Sequence, residues 1–213
     1  MQAEGLPIGG MVYDARALKD GQPAARWIGF VSVPDVAAAT AAVTKGGGKV
    51  VLAPVALGER GETAVYQDPE GALFGAVHSR NGDPADYSAD PNEWLWIDLW
   101  TSDVDRAAAF YRSVAGYEVT PAPGDEARHG VHLSAGGYLR AGIMQKNDAR
   151  ATTVWVPYVR VADAKAATEK ARAAGGKVVY EPTDLGRAIV AIVMDPTGAP
   201  VGIAQLVDHG TRP

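Results

Sequence analysis

Trp27-Ile28-Gly29-Phe30-Val31-Ser32-Val33-Pro34-Asp35 returns as Trp155-Val156-Pro157-Tyr158-Val159-Arg160-Val161-Ala162-Asp163, and the fold follows from that recurrence. At the same spacing Gly47-Gly48-Lys49-Val50-Val51 returns as Gly175-Gly176-Lys177-Val178-Val179. One residue out of step, Asp68-Pro69-Glu70-Gly71-Ala72 returns as Asp195-Pro196-Thr197-Gly198-Ala199. Landmarks that keep their order and register mark a duplicated structural unit. A more divergent copy of the front half lies between them, at Trp94-Leu95-Trp96-Ile97-Asp98-Leu99-Trp100-Thr101-Ser102-Asp103.

Each copy reads as a strand, a helix and three further strands. From Trp94 to Thr101 the pattern has a period of two, so Trp96, Asp98 and Trp100 share one face and Leu95, Ile97 and Leu99 the other. Asp35, Asp103 and Asp163 stand where helix N-caps belong, ahead of Ala-rich or amphipathic stretches that end at glycine. The two Asp-Pro-x-Gly segments predict tight turns between the last two strands of a unit. Ser79 to Asn92, rich in Gly, Pro, Asp and Ser, reads as a linker.

Composition narrows the function. The 213-residue chain is 47% apolar and 21% charged, with a net charge of −5 and no block of like charge. A nucleic-acid partner is not expected, because phosphate binding needs clustered Lys and Arg. No cysteine occurs, which removes disulfides, thiolate metal sites and a Cys nucleophile. No apolar run predicts a membrane span and no secretory signal opens the chain, so a cytoplasmic protein without a membrane partner is expected. Nucleotide-binding glycine loops and nucleophile-elbow serines are absent, and no cofactor is expected.

The βαβββ repeat, Trp96-Ile97-Asp98-Leu99-Trp100-Thr101-Ser102-Asp103, Phe110-Tyr111 on the helix, Gly116-Tyr117 after it and the Asp-Pro-x-Gly-Ala turn resemble the vicinal oxygen chelate superfamily. That group includes glyoxalase I, extradiol dioxygenases and the fosfomycin and bleomycin resistance proteins. The resemblance implies an α+β fold in which βαβββ modules pair into a cupped, glyoxalase-like mixed sheet. Units 94–145 and 155–207 would form a complete domain over 93–208, following a linker at 80–92. Residues 1–79 would be an incomplete N-terminal domain, because Pro7 to Val12 resembles the final strand Leu139 to Met144 and only one complete unit, 27–78, follows it. Faces carrying Phe30, Leu73 and Val77 would then lack a covering module. Self-association, such as a homodimer through the N-terminal half, is the expected consequence.

The resemblance also implies a metal: a His on the first strand, seven residues before the capping Asp, and a Glu on the last strand. Here those positions hold Ile28, Trp96 and Val156, then Gly75, Gly142 and Gly202, none with a ligating side chain. No metal is expected there. His129 and His132, three apart on an expected strand, face opposite sides, so a shared metal is not expected, and all four histidines, His78 and His209 included, read as exposed or singly hydrogen-bonded.

Trp96 and Trp100, with Met144, Val156, Tyr158, Arg140 and Arg160, form the expected wall of a small-molecule site. The competing reading is that the tryptophans fill the cup as core. Asp98 is the candidate catalytic base, or else it bonds a neighbouring strand or pairs with Arg140 or Arg160. Three functions follow: metal-free sequestration of an aromatic or amphipathic ligand; a metal-free lyase, isomerase or hydrolase with Asp98 as base and an arginine steadying the anion; or a structural module with a filled cavity.

Overall fold

The computed structural model describes residues 2–3, 6–7, 25–122 and 129–207. Three modules follow one another. The first has β3 (Phe30–Ser32), α1 (Val36–Lys45), β4 (Lys49–Ala56), β5 (Gly61–Gln67) and β6 (Leu73–Ser79). The second has β7 (Trp94–Thr101), α2 (Val104–Ala115), β8 (Glu118–Pro121), β9 (Gly130–Ala135) and β10 (Tyr138–Gln145). The third has β11 (Val154–Arg160), α3 (Ala164–Ala173), β12 (Lys177–Asp184), β13 (Ala188–Met194) and β14 (Pro200–Leu206). Ahead of them β1 (Gln2–Ala3) pairs antiparallel with β2 (Leu6–Pro7). Of the expected strand from Pro7 to Val12 only Pro7 is within the described residues, and His209 is outside them. Among the described residues no helix is long and apolar enough to cross a membrane.

Local chemistry explains the module boundaries. Asp35 caps α1 by accepting from the Ala37 and Ala38 amides, and Asp103 and Asp163 cap α2 and α3 through Arg106 and Ala166. Gly116 ends α2 with φ +70°, a left-handed conformation that costs glycine nothing. In each Asp-Pro-x-Gly turn the glycine amide donates back to the aspartate carbonyl.

The chain divides into two compact units whose boundaries fall inside β7 and β11. One comprises Met1–Trp27, Tyr87–Trp96 and Pro157–Pro213. Its strands run in the order β12-β13-β14-β11. Beside β11, the Asn92 amide donates to the Arg160 carbonyl and the Arg160 amide to Glu93. Ala164, Ala191, Val193 and Ile203 form its core beneath α3.

The other unit comprises Ile28–Asp86 and Ile97–Val156. It holds the sheet β3-β6-β5-β4 and the strands β7-β10-β9-β8. One core joins the two modules, with Val36, Val43, Tyr66 and Phe74 packed in the same cluster as Leu99, Phe110, Tyr111, Leu133 and Trp155. Burying a ring such as Phe110 contributes roughly 1.5–3 kcal/mol. The glycines after α1 admit it: a Cβ on Gly46 would stand 2.8 Å from the Phe110 ring, and one on Gly48 would stand 3.2 Å from it.

Polar groups pin this core. Asp68, 5% exposed, accepts from the Glu70 and Ala72 amides and from the Tyr111 hydroxyl at 2.9 Å, while the Trp155 indole donates to Tyr111 at 2.9 Å. Burial pushes the Asp68 carboxyl above its ordinary range, against the pull of those hydrogen bonds. Glu70 accepts from Thr101, the Ser102 amide and Thr153. Burial raises its pKa too, but these donors outweigh burial and hold it below the usual value.

Candidate functional site

The side chains of β7 split between two faces as their period requires. Leu99 and Thr101 are fully buried, with Ile97 packed against the core, so Asp98 and Trp100 lie on the opposite face. Registers give the neighbours: Gly142 of β10 pairs with Asp98, and Met144 with Trp100. Trp100 and Met144 are thus adjacent apolar groups on that face. The indole Nε1 of Trp100 is buried and has no hydrogen-bond partner among the described residues, an exception to the usual satisfaction of buried donors.

The expected site residues fall into two groups. Asp98, Trp100, Arg140, Met144 and Val156 belong to the unit formed by Ile28–Asp86 and Ile97–Val156, whereas Trp96, Tyr158 and Arg160 belong to the other. Within the first group Asp98, Trp100 and Met144 are brought together. Arg140 is not with them. It sits where the β9–β10 register shifts between Leu139 and Ala141, and such a bulge re-aims a side chain. Its guanidinium makes a two-pronged pair with Asp86, the Nη2–Oδ2 arm at 3.1 Å, and lies 5.3 Å from the centre of the Tyr138 ring. Arg160 donates to the Ala89 carbonyl. Val156 and Tyr158 are buried.

The positions that hold the family's metal do not fit an ion. In β14 a Cβ on Gly202 would stand 2.1 Å from the Tyr158 ring, and in β6 one on Gly75 would stand 2.2 Å from the Phe30 ring. In both modules an aromatic ring lies over the glycine that replaces the family carboxylate. The first-strand positions are Ile28, Trp96 and Val156, which offer no ligating atom. Among the described residues no group of three or more His, Asp or Glu side chains is placed to hold a metal.

A cavity of about 100 Å³ is lined by Phe30, Phe74, Ile97, Tyr111, Tyr117 and Trp155, with Arg140 also on its wall. Burial pushes the Tyr117 hydroxyl up to about 12, with the Arg140 charge pulling the other way. Sequence reasoning missed this space because its lining comes from several strands and α2, brought together by tertiary packing that no one segment's pattern encodes.

Residues 94–204 match the model of the glyoxalase-like domain. CFP32 of Mycobacterium tuberculosis, provisionally named a glyoxylase, is 32% identical over 176 residues, 81% of this chain and 67% of its own length. The anthracycline biosynthesis protein DauV of a Streptomyces species is 31% identical over 190 residues, 87% of this chain and 67% of its own. The chain therefore spans about two thirds of these curated relatives. The Mn(II)-bound glyoxalase of Novosphingobium aromaticivorans shares the fold, with a TM-score of 0.54 and 18% identity over 83% of this chain and 61% of its own. By sequence and by fold, the chain belongs to the glyoxalase-like domain family of the vicinal oxygen chelate superfamily.

Proposed function

We propose that this chain binds a planar aromatic small molecule without a metal, using 93–208 as the ligand-binding part and the Trp100–Met144 face as the apolar wall. The observation that carries the metal-free reading is the ring over glycine: Tyr158 over Gly202 and Phe30 over Gly75 occupy the space a ligating carboxylate needs. The family match to 94–204 supports the choice of binding part. A relative named for the biosynthesis of anthracyclines, which are planar polycyclic compounds, supports the choice of ligand class. Stacking on an indole and a flexible thioether suits such a ring system.

Metal analysis of protein purified without chelator is expected to give well under one equivalent of any divalent ion. Added Mn²⁺ or Ni²⁺ should leave the melting temperature unchanged, since an ion that binds only the folded state raises it. A stoichiometric ion overturns the metal-free reading.

Titration with anthraquinone sulfonate, followed by tryptophan fluorescence, tests the ligand class. Trp100→Ala should weaken binding by about 1–3 kcal/mol while the protein stays folded. Equal affinity in the two proteins, or destabilisation without loss of affinity, shows that Trp100 is core and that the wall is misplaced.

A further inference from the structure

The repeated modules supply an internal comparison at one row of the sheet. Registers align Phe30–Gly75–Val65–Leu52 in the first module. They align Tyr158–Gly202–Ile192–Tyr180 in the third. In the second the same row is Asp98–Gly142–His132–Thr120. Each row lies on the face turned away from its module's core, because Phe74 and Ala76, Ile143 and Leu133, and Ile203 and Ala191 hold the opposite face. The other two rows are built from aromatic and aliphatic residues, so the fold does not require a carboxylate or an imidazole at these positions. The middle row alone carries a carboxylate and an imidazole.

Asp98 and His132 flank a residue with no side chain. They stand two strand spacings apart, roughly 9.5 Å between Cα atoms, with nothing from β10 rising between them. Both are half-buried, and Thr120 is exposed at the end of the row. One step along the strands the neighbouring row is Trp100–Met144–Gly130, and the Met144 sulfur lies over Gly130. The buried, unpartnered Trp100 indole belongs to this second row. A polar row beside an apolar one matches a flat ring system that carries hydrogen-bonding groups on one edge.

The geometry points to Asp98 and His132 as paired anchors for a hydroxylated polycyclic quinone, with ligand hydroxyl donating to the Asp98 carboxylate and ligand carbonyl accepting from His132. This rests on the aromatic-ligand reading and deepens it: Trp100 and Met144 hold the ring, and the Asp98–His132 row selects its oxygen pattern. The carboxylate only accepts and the imidazole supplies the donor, so the pair meets a hydroxyl and a carbonyl at two separate points.

Two probes that differ only in hydroxyl groups separate the row from the wall: quinizarin sulfonate and anthraquinone sulfonate, titrated at one fixed pH. The unaltered chain should prefer quinizarin sulfonate by on the order of ten- to a hundredfold, as hydrogen bonds to charged groups allow. Asp98→Asn, which removes the charged acceptor for the added hydroxyl groups, should erase most of that preference. His132→Val, which installs the residue of the first module's row and removes the donor to a carbonyl that both probes carry, should weaken both by a similar factor, with its melting curve confirming the fold. A preference that survives Asp98→Asn, affinities untouched by His132→Val, or equal binding of both probes to the unaltered chain, overturns the row and leaves the wall standing. Failure of both probes to bind overturns the aromatic-ligand reading, and the row with it.

Discussion

Asp68→Ala is expected to lower the unfolding free energy by about 3 kcal/mol, read by urea denaturation. It strips an acceptor from the buried Tyr111 hydroxyl and from the Ala72 amide. The third module holds the control. Asp195 makes the same turn and accepts from the Thr197 amide and hydroxyl and from the Ala199 amide, but it is exposed and has no tyrosine partner. Water replaces what Asp195→Ala removes, so that change should cost about 1 kcal/mol. Equal costs would show that the turn, not the Tyr111–Trp155 network, sets the value of Asp68.

The same residue gives a pH test. Its folded pKa lies above its ordinary 3.8 because burial disfavours the charge. The folded chain therefore holds the proton more tightly, and stability from this group falls as pH rises from below 3.8 through the folded value. Asp68→Asn cannot titrate. The advantage of the unaltered chain over Asp68→Asn should be largest in acid and shrink as pH rises; an advantage that grows with pH contradicts the assignment.

Gly202→Ala is expected to cost about 2–3 kcal/mol. Its Cβ meets the ring of Tyr158, which is 4% exposed and has no room to move. Gly75→Ala produces a similar clash with Phe30, which is 54% exposed and can swing aside, so its cost should stay under about 1 kcal/mol. Denaturation curves of the two variants decide between them. Matching costs would mean that burial of the ring does not control the penalty.

The fold was legible because its signals are local. Asp35, Asp103 and Asp163 cap helices a few residues away, and the Asp-Pro-x-Gly turns close on themselves. The face shared by Asp98 and Trp100 was legible too, since alternation along a single strand determines it. His132 was not legible as a neighbour of Asp98: the relation passes through β10, and strand register is a long-range property that one strand's pattern does not encode. One signal did lie in the repeat. Phe30, Asp98 and Tyr158 each stand five residues before a capping aspartate, and aligning the later strands would have set His132 beside Val65 and Ile192. Arg140 escaped for another reason, because the bulge that turns it to Asp86 leaves no mark in the alternation.

The ring over Gly202 has a consequence for descent. A glutamate placed at that position would collide with Tyr158, while loss of the ring alone would open a hole over a backbone with no side chain to fill it. Each change is costly without the other, so the two sites are epistatic and a carboxylate enters at least cost when both change together. In the first module, where Phe30 is free to swing, no such barrier stands. A carboxylate is therefore expected to enter more readily at Gly75 than at Gly202.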